Sequence, residues 1–381
     1  MEKIKVLQIV GSLRIGGAEN VAMNIYRHIN RDKYEFHYLV YGKEIGDYEK
    51  EVETMGGKVI HISYKPKVID LEYRKTLEKI IEKNGPYDIV HAHMMFHNGK
   101  IFSSLKKYNI PLKISHAHST DDGSEKNNLL RKLIRKVYTY VQRRNILKYA
   151  NCYIACGDKA GEYLYGKKLY HSQGILVRNG INIEEYTFNF NNRKFLRNLC
   201  GLENNIVIAI IGHLEMVKNH SYAIKIFKNI HDKIPNSRLL IFGEGKLKNN
   251  LQQQIFDNNL QDVTKFMGNV NNVNEWLQAI DILLMPSLFE GVPLTLIEAQ
   301  TAGVRCFVSE NISKEVKITD LLTFISIEEE NIQEWTNAVV SCRLEYNRNL
   351  YSKKVIEKGY GIDENIDIIK RIYNFIGDKD E

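Results

Sequence analysis

What most limits the fold of this chain is a repeated order of segments. Short apolar runs each break at a glycine or a polar turn and then give way to apolar residues at helical spacing. Parallel sheets joined by crossover helices have this pattern. Residues 5–10 form the first run, GSLRIGGAEN is its turn, and a helix starting near Ala18 carries Val21, Ala22, Ile25 and Ile29 on one face. Residues 35–40, 88–90, 112–115 and 152–155 continue the series. A second series starts afresh with residues 206–211, 238–242, 281–285 and 305–308. The expected class is α/β, with Rossmann-like domains over 1–175 and 176–360. Asn179-Gly180 marks a turn near the join. A closing helix and charged tail follow over 361–381, where Ile362, Ile366, Ile369, Ile372 and Phe375 keep helical spacing.

The chain has 381 residues, of which 44% are hydrophobic and 26% charged, so it can build two ordinary cores and lacks the composition of disorder. The N-terminal apolar run is too short for a signal peptide, and no later run reaches the ~18 apolar residues of a spanning helix. The expected location is the cytoplasm. Cys152, Cys156, Cys200, Cys306 and Cys342 are odd in number and lack a CxxC pair, which disfavours disulfide and zinc frameworks alike. The net charge of +7 favours anionic partners: phosphates, lipid headgroups or nucleic acid.

Ligands of open parallel sheets bind beyond the carboxyl ends of the strands, and four unusual clusters fall there. In PSLFEGVPLTLIEA, residues 286–299, a strand gives way to a loop and then a helix opening at Pro293, Leu294 and Thr295. A helix start directs free N–H groups and a positive dipole end at a phosphate. Glu290 in the loop and Glu298 in the helix are acceptors suited to sugar hydroxyls. The same residues also suit a helix with two solvated glutamates. In IGHLEMVKNH, residues 211–220, Lys218 can set a point charge on a diphosphate, or simply sit in water ahead of a helix. Gly16 and Gly17 allow close approach of a phosphate, although the GxGxxG fingerprint is not met and a tight turn needs glycine anyway. His91 and His93 follow one strand, and His116 and His118 the next; a metal reading would require matched ligand geometry, and none is assigned.

Together these residues resemble glycosyltransferase family 4, retaining enzymes with two facing Rossmann-like domains, a cleft between them and the GT-B fold. The resemblance covers nearly the whole chain. It rests first on E-x7-E at Glu290 and Glu298, then on GGAE at 16–19, DIVHAH at 88–93, NGI at 179–181, KNH at 218–220 and GEG at 243–245. It implies that Glu298 grips the nucleotide ribose and Glu290 contacts the transferred sugar. Lys218 would hold the diphosphate, with backbone at Gly16, Gly17, Gly291, Val292, Leu294 and Thr295 completing the cradle. His118, with His116 as the alternative, would lie beside the donor sugar. The implied substrate is a nucleotide-diphosphate sugar, a UDP-sugar foremost, and no cofactor or metal is required. Asp121-Asp122 resembles a charged loop more than a metal motif. One departure stands out: His213 occupies a position where the family usually has arginine. Imidazole titrates near neutrality and supplies no fixed charge, so weaker or pH-sensitive donor binding is expected.

Residues 126–150 hold eight lysines and arginines and no acid, with Leu130, Leu133, Ile134, Val137 and Val141 along one stripe. Such a helix suits an anionic bilayer, or packs its stripe on its own domain. The first reading implies a saccharide or lipid-linked acceptor at the inner face of the plasma membrane, as in capsule or exopolysaccharide assembly. Competing readings are a non-catalytic partner subunit, kept alive by the missing arginine, and a sugar-nucleotide epimerase of the same fold. A phosphorylase would need a pyridoxal pocket that the motifs do not offer. Nucleic-acid binding is disfavoured, because Tyr138, Tyr140 and Tyr149 lie at helical rather than platform spacing.

Overall fold

The structure is a computed structural model that describes residues 3–64, 71–119 and 129–374, with backbone alone for 71 and 129–131. Asp121, Asp122 and Phe375 lie outside the described residues. The chain divides into two compact units, one of Met1–Gly180 with the chain from Ile362, the other of Ile181–Gly361. The division falls after Gly180, against residue 175 from the sequence.

The first unit is built on β1 (Ile4–Ile9), β2 (Tyr34–Tyr41), β3 (Lys58–Ile62), β4 (Ile89–Ala92), β5 (Leu112–Ala117), β6 (Cys152–Ala155) and β7 (Gly174–Leu176), all parallel, in the order β3-β2-β1-β4-β5-β6-β7. The second has β8 (Ile206–Ile211), β9 (Ser237–Phe242), β10 (Thr264–Gly268), β11 (Ile282–Met285), β12 (Arg305–Ser309) and β13 (Leu322–Ile325), in the order β10-β9-β8-β11-β12-β13. Both sheets share one topology: the chain builds outward from a central strand, then returns to build on its other side.

Central strands read as unbroken apolar runs because helices cover both faces. In β1, Leu7 and Ile9 enter one core while Val6 and the following Val10 enter the other. In β8, Val207 and Ala209 face one core, Ile208 and Ile210 the opposite one. Asp281 locks the start of β11, accepting from the Val207 amide at 2.9 Å and pairing with Arg197 at 3.1 Å.

The C-terminal helix, Ile362–Asn374, buries Ile362, Ile366, Ile369 and Tyr373 in the core beneath the helix Gly17–His28. Its Asn365 side chain accepts from the Arg178 amide at 2.9 Å. It therefore completes the first unit, although the second unit intervenes in sequence. Two strand boundaries correct the sequence reading. His91 and His116 lie within β4 and β5, not beyond them, and only His93 and His118 follow the strand ends.

Candidate functional site

In each sheet the direction of building reverses next to the central strand, and loops at such a switch point diverge and leave a crevice. In the second unit those loops follow β8 and β11, which are neighbours. They carry the lysine and glutamate motifs.

The two loops are stitched together. The Leu288 amide donates to the Val217 carbonyl at 2.8 Å, and Asn219, in a left-handed conformation, donates from its side chain to the Pro286 carbonyl at 3.1 Å. Lys218 donates to Glu290 in an ion pair between half-buried side chains, so two residues assigned to separate parts of a ligand hold each other. The Glu290 backbone is fixed in turn by the Ser313 amide, which donates to its carbonyl at 3.2 Å. The Lys218 stem runs over Gly212, where a Cβ would meet its Cε at 3.2 Å. Behind it, a Cβ on Gly243 would come within 2.1 Å of the Gly212 carbonyl oxygen, so the GEG segment must begin with glycine for the two loops to pack.

The helix Leu294–Thr301 opens at Pro293 with no side-chain cap. Its first N–H groups are thus left for a ligand or water. Gly291 is exposed, and a Cβ there would meet nothing within 4 Å. Glu298, inside this helix, is half-buried as a residue, with its carboxyl enclosed in a recess of the protein. Burial raises its pKa from 4.5 to about 7, and a hydrogen bond from Tyr186 acts weakly against that rise. His213 is exposed beyond the end of β8. His220 is buried and carries a pKa of about 4, depressed first by burial and then by the Lys218 charge.

In the first unit the switch point lies between β1 and β4. The helix Gly17–His28 starts at Gly16, whose added Cβ would meet Glu19 Oε2 at 2.6 Å. Glu19 folds back on the turn it follows, and burial raises its pKa while backbone N–H groups of Glu19 and Ser12 oppose the rise. This helix start is therefore already served by a carboxylate of the chain. Gly17 remains open, with nothing within 4 Å of an added Cβ.

The four histidines form one stack, in which His91, His93 and His116 are buried and His118 is half-buried. His91 over His93 and His116 over His118 have ring centroids 4.3 and 4.1 Å apart. Across the strands, His91 Nε2 lies 3.1 Å from His116 Nδ1, and His93 Nδ1 lies 2.8 Å from His118 Nε2. Gln8 of β1 and Tyr373 of the C-terminal helix close the far end: His93 Nε2 is 2.7 Å from Gln8 Oε1, and His91 Nδ1 is 2.9 Å from the Tyr373 hydroxyl. Burial drives His91 and His118 to about 3 and the other two well below the histidine range, so all four rings are neutral. Nitrogens of His91, His93 and His116 fall within 4.8 Å of one another. The rings are nonetheless stacked and engaged edge to edge, whereas a metal draws in-plane lone pairs to one point.

On the helix Leu129–Tyr149 the side chains described depart from the packed reading. Leu133 is 60% and Val137 57% exposed, and Ile134, Tyr140 and Val141 are exposed beside them, so the stripe does not pack on its own domain. Gln142 and Ile146 are the buried side; the backbone at Gln142 lies so close to the helix His97–Ser104 that a Cβ on Gly99 would sit 2.2 Å from its carbonyl oxygen. Among the described residues no helix is long and apolar enough to cross a membrane.

The model of glycosyltransferase family 4 matches residues 15–185, and that of glycosyl transferases group 1 matches residues 193–354. The chain is a family 4 glycosyltransferase. EpsF of Bacillus subtilis, whose own glycosyltransferase name is provisional, is 27% identical over 99% of this chain and 98% of its own. An Escherichia coli UDP-Gal:alpha-D-GlcNAc-diphosphoundecaprenol alpha-1,3-galactosyltransferase is 26% identical over 97% of each chain. Anabaena HepE, solved with UDP and glucose, superposes with a TM-score of 0.74 at 16% identity, over 97% of this chain and 99% of its own. The glycosyltransferase thus has the GT-B fold.

Gln8, Tyr373 and Tyr186 were missed from sequence. Gln8 had left a signal: it is a polar residue inside the apolar run IKVLQIV, on the strand face that also carries Val6 and Val10. Tyr373 and Tyr186 had none, since tyrosine at a helix position reads as core.

Proposed function

We propose that this glycosyltransferase moves a sugar from a UDP-sugar to a lipid-linked saccharide in capsule or exopolysaccharide assembly, with retention of anomeric configuration. The observation that carries the donor half is the joined pair of loops in the second unit. There an uncapped helix start, Lys218, Glu290 and the recessed Glu298 follow neighbouring strands at a switch point. Departure of the nucleoside diphosphate builds negative charge on its phosphates. Lys218 and the N–H groups at Leu294 and Thr295 are preorganised donors for that charge, so the reading needs no divalent cation. To engage phosphate, Lys218 must be released from Glu290, which then becomes free to accept from a sugar hydroxyl. Glu298 takes the ribose hydroxyls, and His118, at the end of β5, receives a hydroxyl of the transferred sugar.

The acceptor half rests on the helix Leu129–Tyr149, whose apolar stripe is exposed between lysines and arginines. Such a face suits an anionic bilayer, each cation near the surface contributing ~1 kcal/mol. The named relatives support the setting. One carries a diphosphoundecaprenol-linked acceptor in its name, and a Staphylococcus aureus capsular polysaccharide biosynthesis glycosyltransferase, CapH, is 25% identical over 88% of this chain.

The test is thermal stabilisation by UDP-, GDP- and ADP-sugars in EDTA, for the wild type, Glu298→Ala, Lys218→Ala and His213→Arg. A shift with UDP-sugars, lost in the first two variants and enlarged in the third at pH 8, is expected. No shift with any nucleotide would point to a non-catalytic partner subunit.

A further inference from the structure

The histidine stack ends in two unsatisfied atoms. His116 Nε2 and His118 Nδ1 are buried and have no hydrogen-bond partner. Which of them carries a proton follows from the far end of the stack, through the single amide of Gln8.

The Gln8 amide nitrogen donates to the Tyr373 hydroxyl at 3.0 Å. The one proton of that hydroxyl therefore goes to its other neighbour, His91 Nδ1. His91 then carries its own proton on Nε2 and donates to His116 Nδ1, which leaves His116 an Nε2–H donor at its free end. On the other branch, Gln8 Oε1 is an acceptor, so His93 is protonated on Nε2 and bare on Nδ1. His118 must donate to that bare nitrogen from Nε2, and its own Nδ1 is left as an acceptor. Each ring is neutral, with one proton to place, and each placement dictates the next. Turning the amide over would reverse both branches and exchange donor for acceptor at the two free ends.

We propose that Gln8 and Tyr373 are positioning residues that hold the four imidazoles in one tautomer, so that His118 presents a bare Nδ1 to a sugar hydroxyl and His116 an Nε2–H. This rests on the reading of His118 as the residue that meets the transferred sugar. The two positioning residues come from the central strand and from the last helix of the chain, 365 positions apart. The C-terminal helix is thereby tied to the site through a proton arrangement as well as through packing.

Histidine tautomers are read directly from ¹⁵N chemical shifts and two-bond couplings of imidazole-labelled protein. The wild type is expected to show His91, His93, His116 and His118 all as neutral Nε2–H rings. Gln8→Met keeps the bulk and removes both hydrogen bonds. It should turn all four rings into tautomer mixtures, because His93 loses its acceptor and the Tyr373 hydroxyl loses the donor that directs its proton to His91. Tyr373→Phe should free His91 and His116 alone, since Gln8 Oε1 still accepts from His93. With the UDP-sugar that gives the largest melting shift, Gln8→Met should lower kcat about tenfold and leave UDP affinity unchanged. Mixed or Nδ1–H rings in the wild type, the same spectral change in both variants, or stoichiometric metal in the purified protein would overturn the proposal. The expected spectra with an unaltered kcat would uphold the tautomer network and overturn the sugar contact of His118.

Discussion

At the scale of single residues, the telling balance is at Glu298, where the recess that suits a ribose also opposes ionisation. A carboxyl whose pKa is raised on folding leaves stability intact below about pH 4.5 and reduces it as the pH climbs to about 7. The full shift corresponds to ~3 kcal/mol, and less to the extent that water reaches the recess. Glu298→Gln should therefore be more stable than the wild type at pH 8, by up to that amount, and equal to it near pH 4.5. Denaturant melts at the two pH values check this, and equal stability at both would show a well-solvated carboxylate. Glu290, Glu298 and Lys218 were legible in sequence, since each lies in a motif whose spacing places it at a strand end. Their relation to one another was not legible. The ion pair joins residues 72 positions apart, and its geometry depends on how two loops are stitched.

At the scale of elements, the strands foreseen were those in the middle of each sheet, while β3, β7, β10 and β13 were not. These four are the outermost strands of the two sheets. A central strand is covered on both faces and flanked on both sides, so most of its positions are apolar, Gln8, His91 and His116 being exceptions. An edge strand is short and half-wet, and Lys58–Ile62 and Thr264–Gly268 are largely exposed or half-buried along their length. The apolar run that marks a buried parallel strand is missing there for a physical reason. The helix Leu129–Tyr149 is the converse case. Its stripe was plain in the sequence, but burial alone tells a core-facing stripe from an outward one. Replacing Leu133 and Val137 by Glu should reduce binding to phosphatidylglycerol vesicles at least tenfold, because each apolar side chain withdrawn from the interface forgoes ~1.5 to 3 kcal/mol. Melting shifts with UDP should be unaffected. Vesicle sedimentation measures the first quantity, and unchanged sedimentation would sink the membrane role.

At the scale of the whole molecule, four neutral imidazoles in the first unit set its response to acid. Histidines in the unfolded chain take up protons below about pH 6.5, while those in the stack do so only far lower, with His91 and His118 near 3. Each ring therefore removes ~1.4 kcal/mol of stability per pH unit over that window, a loss that begins near pH 6.5 and deepens as the pH falls. Calorimetry from pH 7.5 to 5 should show a steep fall in the melting temperature of the first unit, and a flat profile would contradict the neutral stack. The sequence by itself determined the two α/β units, the closing helix and the motif-bearing strand ends. Local periodicity, turn residues and short-range spacing are enough for that. Tertiary structure alone decided the Lys218–Glu290 pair, the outward face of the basic helix and the partnership of Gln8 with Tyr373. Each depends on atoms that meet only when distant segments of chain are packed against one another, and on the water that this packing excludes.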